Sequence, residues 1–270
     1  MVRDCRTAAP ARGLPMSRFF VGPQQVCGDL IYMTDREDIK HLSRVLRLGA
    51  GDSLDISDAQ AFEYRCEIQA VEKERVLLRI CERQSFAREP QLLLRLYQGI
   101  PKQAKMETIV QKCVELGVHC IVPVFTKYTV VTDSRGNFSA KVRRWQKISE
   151  EAAKQCRRGR IPAVKEAISF KEMAAQAKED CDVVLFLYEG ERQTSIKQAL
   201  LRRREEAQRQ GRGIRSVAVI VGPEGGFSEE EAQVMISAGA DCVTLGKTIL
   251  RTETAGMAAA AMIMYELELV

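Results

Sequence analysis

Two stretches in the C-terminal half hold residue types that can do chemistry. The first, Val221-Gly222-Pro223-Glu224-Gly225-Gly226, follows the apolar run Val217–Val221 and precedes Ser228-x-x-Glu231. Its glycines let the backbone approach a ligand closely. The Ser-x-x-Glu spacing is that of a capping box, which fixes a helix start just behind the loop. A loop between the carboxyl end of a strand and a helix is where open α/β sheets take their ligands. The same glycines would also suit a purely structural turn. The pattern is not G-x-G-x-x-G, and no Gly-Lys-Ser/Thr follows, so neither a dinucleotide fingerprint nor a P-loop is present.

The second stretch runs from Leu245-Gly246-Lys247-Thr248-Ile249-Leu250 into Arg251-Thr252-Glu253-Thr254-Ala255. Beyond it, Ala255–Met262 is small and apolar nearly all round, so it reads as a buried, closely packed helix. An arginine and a glutamate at the mouth of such a helix need partners. Those partners are either a bound ligand or each other, as an internal pair holding the loop.

The elements that would position these loops alternate. Leu92–Ile100, Cys120–Phe125, a short run near Val164, Val183–Tyr188, Val217–Val221 and Cys242–Leu245 read as strands. Lys105–Leu116, Ala140–Cys156, Lys171–Ala177, Ser195–Arg204, Ser228–Ala238 and Ala255–Leu267 read as helices. Apolar strands alternating with helices predict a parallel sheet covered on both faces. Upstream, Arg18–Val21, Asp52–Ser57, Phe62–Ile68 and Arg75–Ile80 are strand-like around a short helix over Asp38–Leu46. This pattern predicts a small β-barrel. The domains are expected at 16–88 and 91–270, after a leader over 1–15 that has no periodicity.

The chain has 270 residues, a net charge of +5, 46% hydrophobic and 29% charged residues. This is ordinary soluble composition. No run reaches the roughly 18 apolar residues of a membrane span, and the first residues lack the apolar core of a secretory signal. Nine cysteines without a CxxC pair are expected to be reduced thiols in a cytoplasmic protein, and two histidines leave little for a zinc site. Lys141, Arg143, Arg144, Lys147, Lys154, Arg157, Arg158 and Arg160 face only Glu150 and Glu151, a basic segment suited to phosphates. Arg202-Arg203-Arg204, followed by Glu205-Glu206, reads as a solvated helix face, and Trp145 as either core or a stacking surface.

Taken together these motifs resemble the RsmE family, bacterial small-subunit ribosomal RNA methyltransferases of the SPOUT superfamily. Gly222-Pro223-Glu224-Gly225-Gly226-Phe227-Ser228 and Leu245-Gly246-x-x-Ile249-Leu250-Arg251-Thr252-Glu253-Thr254-Ala255 are similar to its signature. So are Ser17-Arg18-Phe19-Phe20-Val21 and His41-Leu42-x-x-Val45-Leu46-Arg47-Leu48 with Gly51-Asp52. Lys102-x-x-Lys105-Met106-Glu107-x-x-Val110-Gln111-Lys112-x-x-Glu115-Leu116-Gly117 resembles the first catalytic-domain helix, and Arg144-Trp145-x-Lys147-Ile148 with Arg158-x-x-Ile161-Pro162 the RNA-facing segment. Two positions depart from the pattern: Ala59 follows Asp58 at a hairpin that often holds glycine, and Arg157 stands where glycine is common.

The resemblance implies a PUA-like barrel followed by a deep trefoil knot, a homodimer, and methylation of uridine N3 in 16S ribosomal RNA within the small subunit. It implies S-adenosylmethionine held by Leu187, Tyr188, Glu189, Gly222, Pro223, Glu224, Gly225, Leu245, Gly246, Ile249, Leu250, Arg251 and Thr254. Glu224 or Glu253 would accept the N3 proton and Arg251 would stabilise the developing charge. RNA would meet Arg18, Arg44, Arg47, Lys102, Arg143, Arg144, Lys147, Arg158 and Arg160, with no metal and no membrane involved. The rival readings are a knotted enzyme acting on a ribose 2′-hydroxyl, a catalytically silent RNA-binding protein, and a phosphate-binding enzyme.

Overall fold

The computed structural model describes residues 18–86, 89–130, 138–191 and 193–268; the leader expected over 1–15 lies outside them. The chain forms two units. One runs to Glu89 and takes in Ala153–Ile161, and the other comprises Pro90–Ala152 and Pro162 onward. The sequence placed 153–161 in the second domain. The structure returns this segment to the first because its polar groups are bound there. Lys154 Nζ lies 2.9 Å from Asp38 Oδ1, Arg158 Nη2 lies 2.5 Å from Glu89 Oε1, and Ser57 Oγ donates to the Gly159 carbonyl at 2.6 Å.

The first unit holds β1 (Phe19–Phe20), β2 (Val26–Cys27), β3 (Leu30–Met33), β4 (Ser53–Ser57), β5 (Phe62–Val71) and β6 (Val76–Ser85). They lie in the order β1-β4-β5-β6-β3-β2, antiparallel except for β1 with β4. Period-two patterning buries Leu54 and Ile56, then Cys66 and Ile68, then Val76 and Leu78, on one face. Among the described residues β1 and β2 remain edges, so the pairing is that of an open sheet rather than a closed barrel. The β2–β3 hairpin was not expected: Leu30–Met33 is apolar throughout and gives no alternation to read. The helix expected over 38–46 divides into α1 (Arg36–Lys40), capped by Asp35, and a π-helical turn over His41–Val45. Ala59 and Arg157 both have φ of 58°, the left-handed region where a side chain is strained, which accounts for the glycine pattern they depart from.

The second unit holds β7 (Leu93–Gly99), β8 (Cys120–Phe125), β9 (Ala163–Val164), β10 (Ile168–Ser169), β11 (Val183–Leu187), β12 (Ser216–Val221) and β13 (Asp241–Val243). Its helices are α2 (Lys105–Glu115), α3 (Phe138–Gln155, whose residues from Ala153 onward count with the first unit), α4 (Phe170–Asp180), α5 (Ile196–Arg209), α6 (Glu229–Ser237) and α7 (Thr252–Leu267). Every pairing is parallel, in the order β10-β8-β7-β12-β11-β13, with β9 also on β8. Val217–Val221 are all buried, as a strand covered on both faces requires. The order sends the chain from β12 past β11 to β13. α7 then returns to pack on α2, α5, β7 and β12. The return is close because Ala255, Gly256, Ala259 and Ala260 are small and buried. α7 begins at Thr252, three residues before the expected Ala255, so Glu253 lies in its first turn rather than in a loop.

Candidate active site

The carboxyl ends of β12, β11 and β13 are neighbours, and the loops that leave them enclose a cavity of about 870 Å³, within the usual range of small-molecule sites. Leu187 ends β11 and Tyr188 and Glu189 follow it, Gly222, Pro223 and Glu224 come from the first loop, and Leu245, Gly246, Ile249, Leu250 and Arg251 from the second. Of the residues expected to hold the cofactor, Gly225 and Thr254 are not in the lining. Gly225 backs the loop instead: a Cβ there would stand 2.8 Å from Tyr128 Cβ. Thr254 is exposed in the first turn of α7.

The first loop is held from several sides. Gly226 N–H donates to the Pro223 carbonyl at 3.0 Å, and Ser228 and Glu231 complete the expected capping box of α6. Glu231 Oε1 also accepts from the Lys127 N–H at 2.8 Å, which ties the segment carrying the exposed Tyr128 to this loop. Thr252 Oγ1 donates to the Gly222 carbonyl at 2.6 Å and accepts from Gln98 Nε2 at 2.9 Å. Gln98, Thr252 and Lys105 were not among the expected site residues. A polar Gln98 at the end of the apolar run of β7 was the signal for the first, since a buried NH2 group needs acceptors, which it finds in Thr252 Oγ1 and the Gly99 carbonyl.

Charge at the rim is arranged around Lys105. Its Nζ lies 2.8 Å from Glu224 Oε1 and 3.7 Å from Glu253 Oε2. Burial pushes the Glu224 carboxyl up, but the Lys105 ammonium and the N–H groups of Glu224 and Lys102 outweigh it and hold the carboxyl below its usual value. Glu253 Oε2 is buried with no hydrogen-bond partner among the described residues. Arg251 is exposed and its guanidinium makes no hydrogen bond or ion pair among them, so the internal Arg–Glu pair is not formed.

The expected RNA contacts divide. Arg18 and Arg158 are buried, Arg18 on Glu63 at 2.6 Å and on the Arg158 carbonyl, and Arg158 on Glu89. Both are corrected from phosphate contacts to internal ion pairs, because a guanidinium so enclosed offers nothing to solvent. Arg44, Arg47, Lys102, Arg143, Arg144, Lys147 and Arg160 are exposed. Arg144 reaches Glu107 at 2.9 Å and Arg160 lies over the Phe86 ring. Trp145 is buried edge-on against Phe138, so it is core and not a stacking surface.

An RNA methyltransferase domain family matches residues 88–264, and its PUA domain family matches residues 34–81. A ribosomal RNA small subunit methyltransferase E from Bacillus subtilis is 32% identical over 256 residues, covering 94% of this chain and 98% of the relative. The chain belongs to the ribosomal RNA small subunit methyltransferase E family. The solved structure of an RsmE from Neisseria gonorrhoeae, bound to S-adenosylmethionine, matches with a TM-score of 0.77 at 27% identity, covering 93% of this chain and 98% of that one. A methyltransferase structure from Legionella pneumophila in complex with the same cofactor matches with a TM-score of 0.77 at 28% identity, over 93% and 98% of the two chains. The RsmE fold therefore places α7 and the three strand ends around one cavity, and the first unit carries the PUA-like domain. The residues present suit a nucleoside carrying a cationic sulfur: bare glycine backbone at Gly222 and Gly226, aliphatic Leu187, Leu245 and Leu250, and the Glu189 carboxylate directed at Gly226.

Proposed function

We propose that this protein transfers the methyl group of S-adenosylmethionine to N3 of a uridine in the 16S RNA of the small ribosomal subunit. The observation that carries the reading is the rim of the cavity, where the Arg251 guanidinium stands exposed without a partner among the described residues and Glu253 presents a buried oxygen without a hydrogen bond among them. The bound sulfonium supplies an electrophilic methyl group. Leu187, Leu245, Ile249 and Leu250 form an apolar slot for its adenine, and Ile249 is 80% exposed. Glu189 meets the ribose hydroxyls, and the glycine backbone of the first loop allows close approach. Arg251 faces the charge that grows on the uracil oxygens as N3 loses its proton.

Arg44, Arg47, Lys102, Arg143, Arg144, Lys147 and Arg160 are the remaining exposed cations for RNA phosphates, in a cytoplasmic protein acting on the assembled subunit. The course β12 to β13 past β11, with α7 returning to β7, supports a trefoil knot. Homodimer formation is supported by one face of α7, where Thr254, Ala261, Met262 and Tyr265 are exposed at helical spacing. Mapping methylated nucleotides in a strain that lacks the gene tests the reading. Loss of one N3-methyluridine in 16S RNA is expected, whereas loss of a ribose 2′-O-methyl mark identifies the alternative chemistry.

A further inference from the structure

Lys105 opens α2, lines the cavity and reaches both carboxylates of the rim. An ammonium has three donors. One is spent on Glu224 at 2.8 Å, and Glu253 Oε2 at 3.7 Å is beyond hydrogen-bonding range, so two donors remain on a half-exposed side chain. Glu224 is anchored differently. It takes the Lys105 ammonium and the Lys102 N–H together, so its oxygens are committed to holding the loop. Glu253 Oε2 is the carboxylate oxygen of the trio that is buried without a hydrogen bond among the described residues, an arrangement that costs stability unless a donor arrives. The N3–H of a bound uracil is such a donor.

We propose that Lys105 is a catalytic residue of the methyl transfer, its ammonium donating to a uracil carbonyl oxygen beside N3 while Glu253 takes the N3 proton. This rests on the N3 reading above and extends it to the division of labour among three residues. The N3–H bond breaks and its proton passes to Glu253 Oε2. The electron pair left on N3 forms the new bond to the methyl carbon as the carbon–sulfur bond breaks, leaving a neutral thioether. Glu253 then returns the proton to solvent. The ammonium stays charged throughout: its hydrogen bond to Glu224 raises the lysine above its ordinary value, against a smaller opposing effect of burial. Lys105 is therefore a fixed cation beside the developing anion and not a competing base. Glu224, with its charge already matched, is the anchor that holds that cation in place.

The test compares wild type, Lys105→Met and Lys105→Arg in single-turnover methylation of purified small ribosomal subunits across neutral to alkaline pH. Calorimetric titration with S-adenosylmethionine runs alongside. Lys105→Met is expected to bind the cofactor within about threefold of wild type while methylating about 100-fold more slowly at neutral pH. Part of the loss should return at alkaline pH, where the N3 proton leaves without help. Lys105→Arg is expected to keep the wild-type pH profile. A Lys105→Met rate within about threefold of wild type, a loss equal at every pH, or loss of cofactor binding would each overturn the proposal. The N3 reading fails separately: wild type alone would then yield a nucleoside other than 3-methyluridine.

Discussion

Thr252 Oγ1 donates a 2.6 Å hydrogen bond to the Gly222 carbonyl and so joins the first turn of α7 to the loop after β12. The same hydroxyl accepts from Gln98 Nε2, so one side chain links the ends of two adjacent strands to the last helix. Thr252→Val keeps the shape and deletes both bonds, leaving a buried carbonyl and a buried amide short of a partner. A stability loss of about 1–3 kcal/mol is expected by urea denaturation. Cofactor affinity should fall with it, because the loop loses its tie to the helix. Unchanged stability would mean the bridge is replaced by other contacts.

Gly222→Val should weaken cofactor binding. A Cβ at Gly222 would stand 3.1 Å from Gly226 Cα and 3.1 Å from Phe227 Cε2, so the loop must open to admit it. Calorimetric titration should show affinity reduced by at least about tenfold. Wild-type affinity would remove this loop from the binding site.

Arg251→Ala should lower methyl transfer by about 100-fold or more while the folded protein remains as stable as wild type. The side chain is exposed and bonded to none of the described residues, so its removal leaves nothing buried and unpaired. Single-turnover rates and denaturation midpoints measured on one preparation separate the two effects. Full activity would sink the assignment.

Ala59→Gly and Arg157→Gly should each stabilise the protein, by about 1 kcal/mol, because both residues hold a φ of 58° that glycine adopts without strain. Urea midpoints measure this, and a loss of stability in both variants would contradict it.

Acid should unfold the first unit partly through Asp58. Burial pushes its carboxyl up, but the N–H groups of Phe62, Ala61 and Gln60 and the Tyr64 hydroxyl outweigh that and hold it below the ordinary value. A carboxyl lowered in the folded state adds stability that is present above the unfolded value of about 3.9 and lost as pH falls through the folded one. Denaturation midpoints measured through that acidic range should decline less steeply in Asp58→Asn than in wild type.

The positions of the two loops that line the cavity were legible because each signal was local. Glycines behind an apolar strand, a Ser-x-x-Glu cap and a helix of small residues each dictate geometry over a few residues. The strand order was not legible, because nothing within β11, β12 or β13 says which lies in the middle. The fates of Arg18 and Arg158 were hidden for the same reason: their partners, Glu63 and Glu89, are distant in sequence. Lys105 stood in a motif with no mark of its role until the fold carried Glu224 and Glu253 to it. The return of 153–161 to the first unit was equally invisible, since it depends on Ser57, Asp38 and Glu89.

The most direct test supplies purified protein, methyl-labelled S-adenosylmethionine and small ribosomal subunits, then digests the RNA and identifies the labelled nucleoside. The account predicts 3-methyluridine as the labelled product, formed about 100-fold or more slowly with Arg251→Ala. Label in a 2′-O-methylated nucleoside, or none with the wild-type protein, would contradict it.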